Sequence, residues 1–468
     1  MNDKERFEQL SYNPKHVNEI ITDTLKAEAF EYCMGYAAYL DSGKTEREAA
    51  AISREMAERA GFVPLSSKET LAAGDKVYAL NKQKAITLAV IGKDSIEHGV
   101  NLVAAHIDSP RIDLKQRTLF EDESMAWLKT QYYGGIKKYQ WLALPLAMHG
   151  VITRGDGAVV EVCIGEDAHD PVFTITDLLP HLAQDQMQTE LSKAFKADNF
   201  HVLCGSLPMG NDDIKEKVKY NVLCLLNDKY GIAEEDFVSA DIELVPAQKA
   251  RDVGFDRGII GAYGQDDRVC AYASLRAILE MDAVPPKTAV CMLVDKEEIG
   301  SMGNTGMKSR FFELTLCEIA AKLGNTANAL MLNRILNASK CLSADVGAAY
   351  DPQFSEVHDK RNAAFAGRGV LMSKYTGGRG KSDSSEASAE FVAYVREILN
   401  NAGVLWQTGE LGKVDVGGGG TIAQYVANLG LDVLDLGTPL LCMHSPFELA
   451  NKADVYMTYL AYKAFMAV

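Results

Sequence analysis

Hydrophobic residues recur at roughly helical spacing near the start of the chain and then gather into short, almost continuous runs. Segments 22–41 and 45–60 show the helical spacing and predict two helices. The runs AITLAVIG at 85–92 and NLVAAHI at 101–107 have the uniform apolar character of strands that are buried on both faces. Alternation of such strands with helices predicts an α/β fold with a mostly parallel sheet.

The pattern changes between residues 115 and 248, where shorter strand candidates at 157–165 and 170–180 mix with polar turns and charged stretches. The α/β alternation then resumes, with helices predicted at 268–281, about 307–323, 385–401 and 448–466 and strands at 288–295 and near 341–346, 369–374 and 431–436. We therefore predict a discontinuous α/β domain, residues 1–114 and 249–468, interrupted by an inserted β-rich domain, residues 115–248.

The charge of the chain narrows its possible partners. Its 468 residues include 48 Lys or Arg and 64 Asp or Glu, a formal net charge of −16. Such a chain lacks the positive surface expected for non-specific binding to nucleic acid or to an anionic membrane.

The longest apolar run, 141–148, is far shorter than the ~20 residues of a membrane span, and we expect no signal peptide in the polar start MNDKERFEQL. Nine cysteines without a CxxC pair indicate a reducing compartment, and we expect a cytoplasmic protein.

Five short segments place a histidine or a carboxylate at the predicted end of a strand or start of a helix. We expect all five at the same edge of one sheet, where open α/β sheets bind ligands. In chain order they are HIDSPR with His106 and Asp108, GQDDR with Asp266 and Asp267, DKEEIGS with Asp295, Glu297 and Glu298, SADVGAAYDP with Asp345, and MHSPFELANKAD with His444. Each also has a purely structural explanation: a surface turn, a helix N-cap, exposed loop carboxylates, a turn-forming aspartate and a helix start, in that order.

Two features favour a metal site over five unrelated segments. Glu297 and Glu298 are adjacent at the end of an apolar strand, and neighbouring like charges are costly without a cation. Asp108 lies two residues beyond His106, on the same side of an extended chain, and suits the carboxylate that accepts the second N–H of a metal-bound histidine. Histidine and carboxylate ligands without cysteine are typical of catalytic zinc, manganese or cobalt sites, and a shared aspartate is typical of two-metal hydrolases.

The five segments, in this order, resemble the aspartyl aminopeptidase and vacuolar aminopeptidase I family of co-catalytic zinc aminopeptidases, and the resemblance covers nearly the whole chain. It implies a three-layer metallopeptidase domain with two divalent ions per subunit, Zn²⁺ in the first instance and Mn²⁺ or Co²⁺ as alternatives. Glu297 would be the general base, and Asp108 would orient a histidine ligand. The ligands of the first ion would be His106, Asp266 and Asp345, and those of the second would be Asp266, Glu298 and His444.

The resemblance also gives the inserted domain a role in dimerisation, within tetrahedral dodecamers that enclose the active sites. His181 matches a family histidine that reaches the active site of a neighbouring subunit and stabilises the oxyanion, although the pattern equally fits a histidine on a helix surface. Lys374, Gly420 and Thr421 lie where substrate residues are expected, with a solvated lysine as the alternative for Lys374.

Some positions depart from the family pattern. Asp267 replaces the usual Asn after the shared aspartate, and Gly347 and Ala348 stand where the family carries a histidine. The usual Gly-Ser-Thr-Ile stretch reads GGTI at 419–422, within a glycine run that predicts a close approach of two backbone segments. These departures indicate a divergent bacterial branch with an intact metal set, for which a preference for acidic N-terminal residues does not follow.

We therefore expect metal-dependent removal of the N-terminal residue from peptides. Water between the two ions would lose a proton near neutral pH, Glu297 would accept that proton, and one ion would polarise the scissile carbonyl. The second ion would bind the free α-amine. Two other hypotheses stay open: a carboxypeptidase or N-acyl amino-acid hydrolase of the same superfamily, and a non-catalytic oligomeric shell. Peptides with free and blocked ends distinguish the first, and chelator-sensitive peptidase activity excludes the second.

Overall fold

The computed structural model describes residues 2–468, which form three β-sheets with helices packed around them. The large sheet has nine strands, in the spatial order Val63–Pro64, Lys76–Asn81, Ala85–Val90, Thr288–Val294, Val100–His106, Lys340–Ser343, Asp432–Gly437, Val370–Ser373 and Trp406–Thr408. Five of its eight strand pairs are parallel, so the prediction of a mostly parallel sheet is confirmed.

Helices cover both faces of the large sheet, which gives the three layers expected from the resemblance. One face packs against Asp23–Ser42, Glu46–Arg59, Gln265–Leu279, Ala389–Asn401 and Lys452–Met466, and the other against Phe311–Lys322, Ala329–Ala338 and Ala423–Ala427. Successive side chains of a strand point to opposite faces, and in Val100–His106 Val103 and Ala105 join one core while Leu102 and Ala104 join the other. Burial on both faces explains why this strand has no polar alternation.

The second sheet is antiparallel and has its own hydrophobic core around Trp141. Its seven strands are, in spatial order, Val159–Ile164, Leu146–Thr153, Ala240–Pro246, Arg111–Asp122, Met125–Tyr133, Val202–Gly205 and Thr174–Ile175. The strand predicted at 157–165 is present, whereas only Thr174–Ile175 is extended within 170–180. Six of these strands lie within 115–248, where the sequence predicts the inserted domain, and Arg111–Asp122 begins four residues before it.

A small third sheet of five strands joins distant parts of the chain beside the large sheet. Its strands are Arg251–Val253, Ile259–Ala262, Glu448–Asn451, Pro439–Leu441 and Gly347–Ala348. Part of it was predicted as helix, since the helix expected at 448–466 begins only at Lys452. The side chain of Asn451 accepts a hydrogen bond from the N–H of Ala453 at 3.0 Å and so caps the helix at this point.

The first two predicted helices begin and end within a residue of the expected positions, because each starts with a side-chain cap. Thr22 caps Asp23–Ser42, and Thr45 caps Glu46–Arg59 in a reciprocal capping box. The charged stretch near 212–219 leads into the helix Lys217–Tyr230, which packs on the second sheet. The remaining helices are Asp3–Leu10, Gln184–Gln188 and Leu191–Ala194. No helix among residues 2–468 combines the length and apolar character that crossing a membrane requires.

Asp454 fixes the last helix to the loop before strand Val370–Ser373. Its buried carboxylate accepts hydrogen bonds from the backbone N–H groups of Gly367 at 2.6 Å and Gly369 at 2.7 Å. Burial raises the pKa of Asp454 to about 7, and the two N–H donors oppose this rise. This carboxylate therefore satisfies two backbone donors that would otherwise be buried without an acceptor.

Replacing Asp454 by Ala should lower the free energy of unfolding by about 3 kcal/mol, because two buried N–H groups lose their acceptor. The matched control is Asp432→Ala, at the exposed first residue of a strand, which should change this free energy by less than about 0.5 kcal/mol. Denaturant unfolding of both variants measures the difference. Equal stabilities would show that Asp454 does not hold this loop.

Candidate active site

Three of the predicted site segments meet at one edge of the large sheet. The strand Val100–His106 lies between two strands that run parallel to it, Thr288–Val294 and Lys340–Ser343. Because the carboxyl ends of the three strands meet, the residues at or just beyond these ends lie together: His106, Glu297, Glu298 and Asp345. The structure thus brings these four residues of the predicted site together.

Asp266 and His444 come to the same place from the small sheet. Asp266 is the second residue of the helix that follows strand Ile259–Ala262, and His444 follows strand Pro439–Leu441. The prediction that all five segments end at the edge of a single sheet is therefore wrong for these two. The physical reason is that these short strands pair with one another through Glu448–Asn451, forming a separate sheet.

Glu448 joins the two segments from the small sheet. Its buried carboxylate accepts hydrogen bonds from the backbone N–H of Asp266 at 3.1 Å and from that of His444 at 2.7 Å. Burial, with the neighbouring Asp266 charge, raises the pKa of Glu448 to about 8. Sequence reasoning missed this residue, since within MHSPFELANKAD only its position in the motif could have drawn attention to it.

The carboxylate of Asp266 lies between two imidazoles. Its Oδ1 is 3.2 Å from Nε2 of His106, and its Oδ2 is 3.1 Å from Nε2 of His444. His106 Nε2 is also 4.0 Å from Oδ1 of Asp345, and His444 Nε2 is 3.6 Å from Oε2 of Glu298. The side chains thus form two overlapping groups that share Asp266.

Asp267 is a further carboxylate of this cluster. One of its oxygens, Oδ2, accepts a hydrogen bond from the backbone N–H of His106 at 3.3 Å, and its Oδ1 is buried without a hydrogen-bond partner. His106, Asp267 and Asp345 offer ligand atoms that lie within 4.8 Å of one another, as do His106, Asp266 and Glu298. The sequence analysis names Asp267 within the GQDDR segment and as a departure from the family pattern, but not as a metal ligand.

The cluster carries more negative charge than its surroundings balance. Burial, together with nearby carboxylates, raises the pKa of Glu298 and of Asp345 well above the ordinary values. Within residues 2–468, no lysine or arginine forms an ion pair with Asp266, Glu298 or Asp345, and Oε1 of Glu298 is buried without a partner. Unpaired buried oxygens beside two imidazoles fit a divalent cation such as zinc.

Asp108 supports both the histidine and the two adjacent glutamates. Its Oδ1 accepts the backbone N–H of Glu297 at 3.1 Å, and its Oδ2 accepts that of Glu298 at 3.2 Å. His106 Nδ1 lies 3.0 Å from the backbone oxygen of Asp108 and 3.4 Å from its carboxylate. Asp295, in contrast, accepts hydrogen bonds from Thr305 and from the Lys296 ammonium group.

The cluster opens into a cleft of about 990 Å³. Glu297, Gly420 and Thr421 line this cleft, whereas Lys374 is not among the lining residues. Arg379 and Lys381, a few residues further along the same segment, do line it.

The sequence predicts that the glycine run lies close to another backbone segment, and the run does so on the cleft wall. A Cβ atom at Gly418 would lie 2.5 Å from the Cα of Gly378. Thr421, next to the run, donates a hydrogen bond from Oγ1 to Oδ1 of Asp435 at 2.8 Å.

His181 lies away from the cleft: it is exposed in the turn Pro180–Leu182 and is not a lining residue.

The chain is similar to known aminopeptidases in sequence and in fold. The chain is 50% identical over 432 residues to a probable M18 family aminopeptidase 1 from Clostridium acetobutylicum, covering 92% of each chain. It resembles the crystal structure of an M18 family aminopeptidase from Thermotoga maritima with a TM-score of 0.94 and 47% identity, covering 97% of this chain and 99% of that one. The structure of the S. cerevisiae mApe1 dodecamer shares the fold, with a TM-score of 0.73, 20% identity and coverage of 92% and 95%.

A family model decides between the hypotheses for the reaction. The model of the aminopeptidase I zinc metalloprotease family, M18, matches residues 39–466, which include all five site segments. This match favours an aminopeptidase over a carboxypeptidase, an N-acyl amino-acid hydrolase or a non-catalytic shell. The chain belongs to the M18 family of zinc metalloproteases and is a metallo-aminopeptidase.

Proposed function

We propose that this aminopeptidase uses two divalent cations, Zn²⁺ in the first instance, with Asp266 as their shared ligand. The placement of the two Asp266 oxygens, each facing a different imidazole, is the observation that carries the proposal. His106 and Asp345 would complete the ligands of one ion, and Glu298 and His444 those of the other. Mn²⁺ and Co²⁺ accept the same kinds of ligand, so the ligand set alone does not select the metal.

Glu297 is proposed as the general base. When bound, the two ions would polarise the scissile carbonyl and lower the pKa of a water molecule between them. Glu297 lines the cleft, and burial raises its pKa to about 7, which suits a group that accepts a proton near neutral pH. It would then deliver that proton to the leaving amine of the peptide.

Asp108 would act as a positioning residue for this base. Its carboxylate binds the backbone N–H groups of Glu297 and Glu298, and these hydrogen bonds fix the short turn that carries both side chains.

The substrates would be peptides with a free N-terminus, with Gly420 and Thr421 on the cleft wall beside them. We keep Lys374 outside this proposal, because Arg379 and Lys381 line the cleft where Lys374 does not.

We also propose a homo-oligomer, with residues 115–248 as the dimerisation domain of a catalytic domain made of 1–114 and 249–468. The segment around His181 exposes large apolar side chains, which supports a surface that other subunits cover: Leu178, Leu179, Leu182, Met187 and Leu191. His181 itself is exposed, as a residue that reaches a neighbouring active site must be. Because the structure of the yeast relative is described as a dodecamer, a tetrahedral dodecamer is the assembly to test.

We also propose a cytoplasmic location, because nine free cysteines suit a reducing compartment.

Replacing Glu297 by Gln should lower kcat by roughly 10²- to 10⁴-fold, because the variant has no proton acceptor, while zinc content stays unchanged. Steady-state hydrolysis of aminoacyl anilides and elemental analysis of the purified protein measure the two quantities. The matched control is Glu356→Gln, at an exposed residue outside the cleft, which should retain wild-type kcat. Wild-type kcat in Glu297→Gln would exclude Glu297 as the base.

Zinc should stabilise the metal-free protein, because a cation relieves the repulsion among buried carboxylates and binds the folded chain selectively. At a free zinc concentration 100 times Kd, the free energy of unfolding should increase by about 2.7 kcal/mol, which is seen as a rise in Tm. Glu298→Gln and His444→Ala should reduce this rise, whereas His358→Ala, outside the site, should not. A zinc-induced rise of equal size in all four proteins would contradict the assigned ligands.

A further inference from the structure

One short segment at the end of a strand of the second sheet lies in the candidate active site. Strand Met125–Tyr133 ends there, and residues Tyr133, Gly134 and Gly135 contact side chains from both halves of the site. We call residues 133–135 the positioning segment. None of the five sequence motifs includes it, so its contacts emerge only from the fold.

Tyr133 supports the half of the site that carries the two glutamates. Its hydroxyl donates a hydrogen bond to Oδ2 of Asp108 at 2.8 Å, in a buried position. The same Asp108 carboxylate accepts the backbone N–H groups of Glu297 and Glu298. Removing the hydroxyl would take one of three hydrogen bonds from Asp108 and leave the tyrosine ring in place.

The ring of Tyr133 is itself held by buried charges. The guanidinium carbon of Arg111 lies 3.8 Å from the centre of the ring, a cation–π contact. Arg111 is buried and forms ion pairs with Glu243 at 3.2 Å and with Glu46 at 3.5 Å. The position of the hydroxyl therefore depends on contacts of the ring with Arg111, and through Arg111 on the second sheet and the helix Glu46–Arg59.

Gly135 supports the other half of the site. Its backbone oxygen lies 2.8 Å from Nδ1 of His444, so this carbonyl accepts the Nδ1–H of the ring. That hydrogen bond holds a proton on Nδ1, so Nε2, which faces Asp266 and Glu298, is the nitrogen that would bind a metal.

The two glycines let the segment approach this closely. Gly134 has φ of +74°, and a Cβ atom there would lie 3.3 Å from Oε2 of Glu298. A Cβ atom at Gly135 would lie 3.2 Å from Nδ1 of His444. A side chain at either position would crowd a proposed metal ligand, and at Gly134 the positive φ would add backbone strain, so glycine suits both positions.

We propose that the positioning segment, through the Tyr133 hydroxyl and the Gly135 carbonyl, holds both halves of the metal centre in their metal-binding geometry. This inference rests on the proposed function, since Glu298 and His444 are proposed ligands. Neither Tyr133 nor Gly135 would touch the reacting atoms; both act through other residues. The second sheet would then be required for a competent active site within its own subunit, apart from any role in assembly.

Tyr133→Phe tests the first contact in the full-length protein. We expect zinc affinity, measured by competition with a chelator, to fall roughly 10- to 100-fold, as is usual when a residue that orients metal ligands is lost. At saturating zinc, kcat should fall while KM changes little, because the substrate contacts are intact. Tyr132→Phe, at an exposed tyrosine next to it, should leave both quantities within about twofold.

The result that would overturn the role of Tyr133 is zinc affinity and kcat within twofold of wild type. A lower Tm with unchanged zinc affinity would also overturn it, since that pattern describes a residue needed for stability alone. Gly135→Ala keeps the carbonyl but places a Cβ atom 3.2 Å from Nδ1 of His444, so it should disturb the second contact and weaken zinc binding. Wild-type affinity in that variant would remove Gly135 from the proposal.

Glu298→Gln, measured in parallel, separates this inference from the proposed function. Weak zinc binding in Glu298→Gln together with wild-type binding in Tyr133→Phe and Gly135→Ala would reject only the positioning segment. Wild-type zinc binding in Glu298→Gln would reject the ligand assignment, and the positioning role would fall with it.

Discussion

The contact of the Asp266 carboxylate with two histidines connects the parts of the fold that make this site. His106 comes from the large sheet and His444 from the small one, and the aspartate faces both at 3.2 Å and 3.1 Å. Glu448 holds the backbone of Asp266 and His444 in place by accepting both N–H groups. The site therefore exists only where the two sheets meet, and neither sheet alone supplies all the proposed ligands.

Burial of so many carboxylates constrains the chemistry as strongly as the geometry does. Buried like charges are unfavourable unless a cation or a proton compensates them, and here lysine and arginine do not pair with the proposed ligands within residues 2–468. A pair of divalent ions would compensate about four negative charges. The strands that lead into these carboxylates are buried on both faces, and their dense packing fixes where the carboxylate-bearing segments begin.

Local sequence patterns predicted the large sheet well and the small sheet poorly. A strand such as Val100–His106 is uniformly apolar because both faces are buried, and that signal is visible in the sequence alone. Ile259–Ala262 is short and pairs with a segment almost 200 residues away, so no local pattern could reveal it. Glu448 and Tyr133 were missed for the same reason, since their partners are set by the tertiary fold.

The most direct test of a two-ion aminopeptidase is titration of the metal-free protein with zinc, following bound metal and hydrolysis of a free-amine peptide together. A two-ion mechanism predicts that activity is absent without metal and reaches its maximum only when two zinc ions are bound per chain. Full activity at one ion per chain, or activity that persists after complete metal removal, would contradict it.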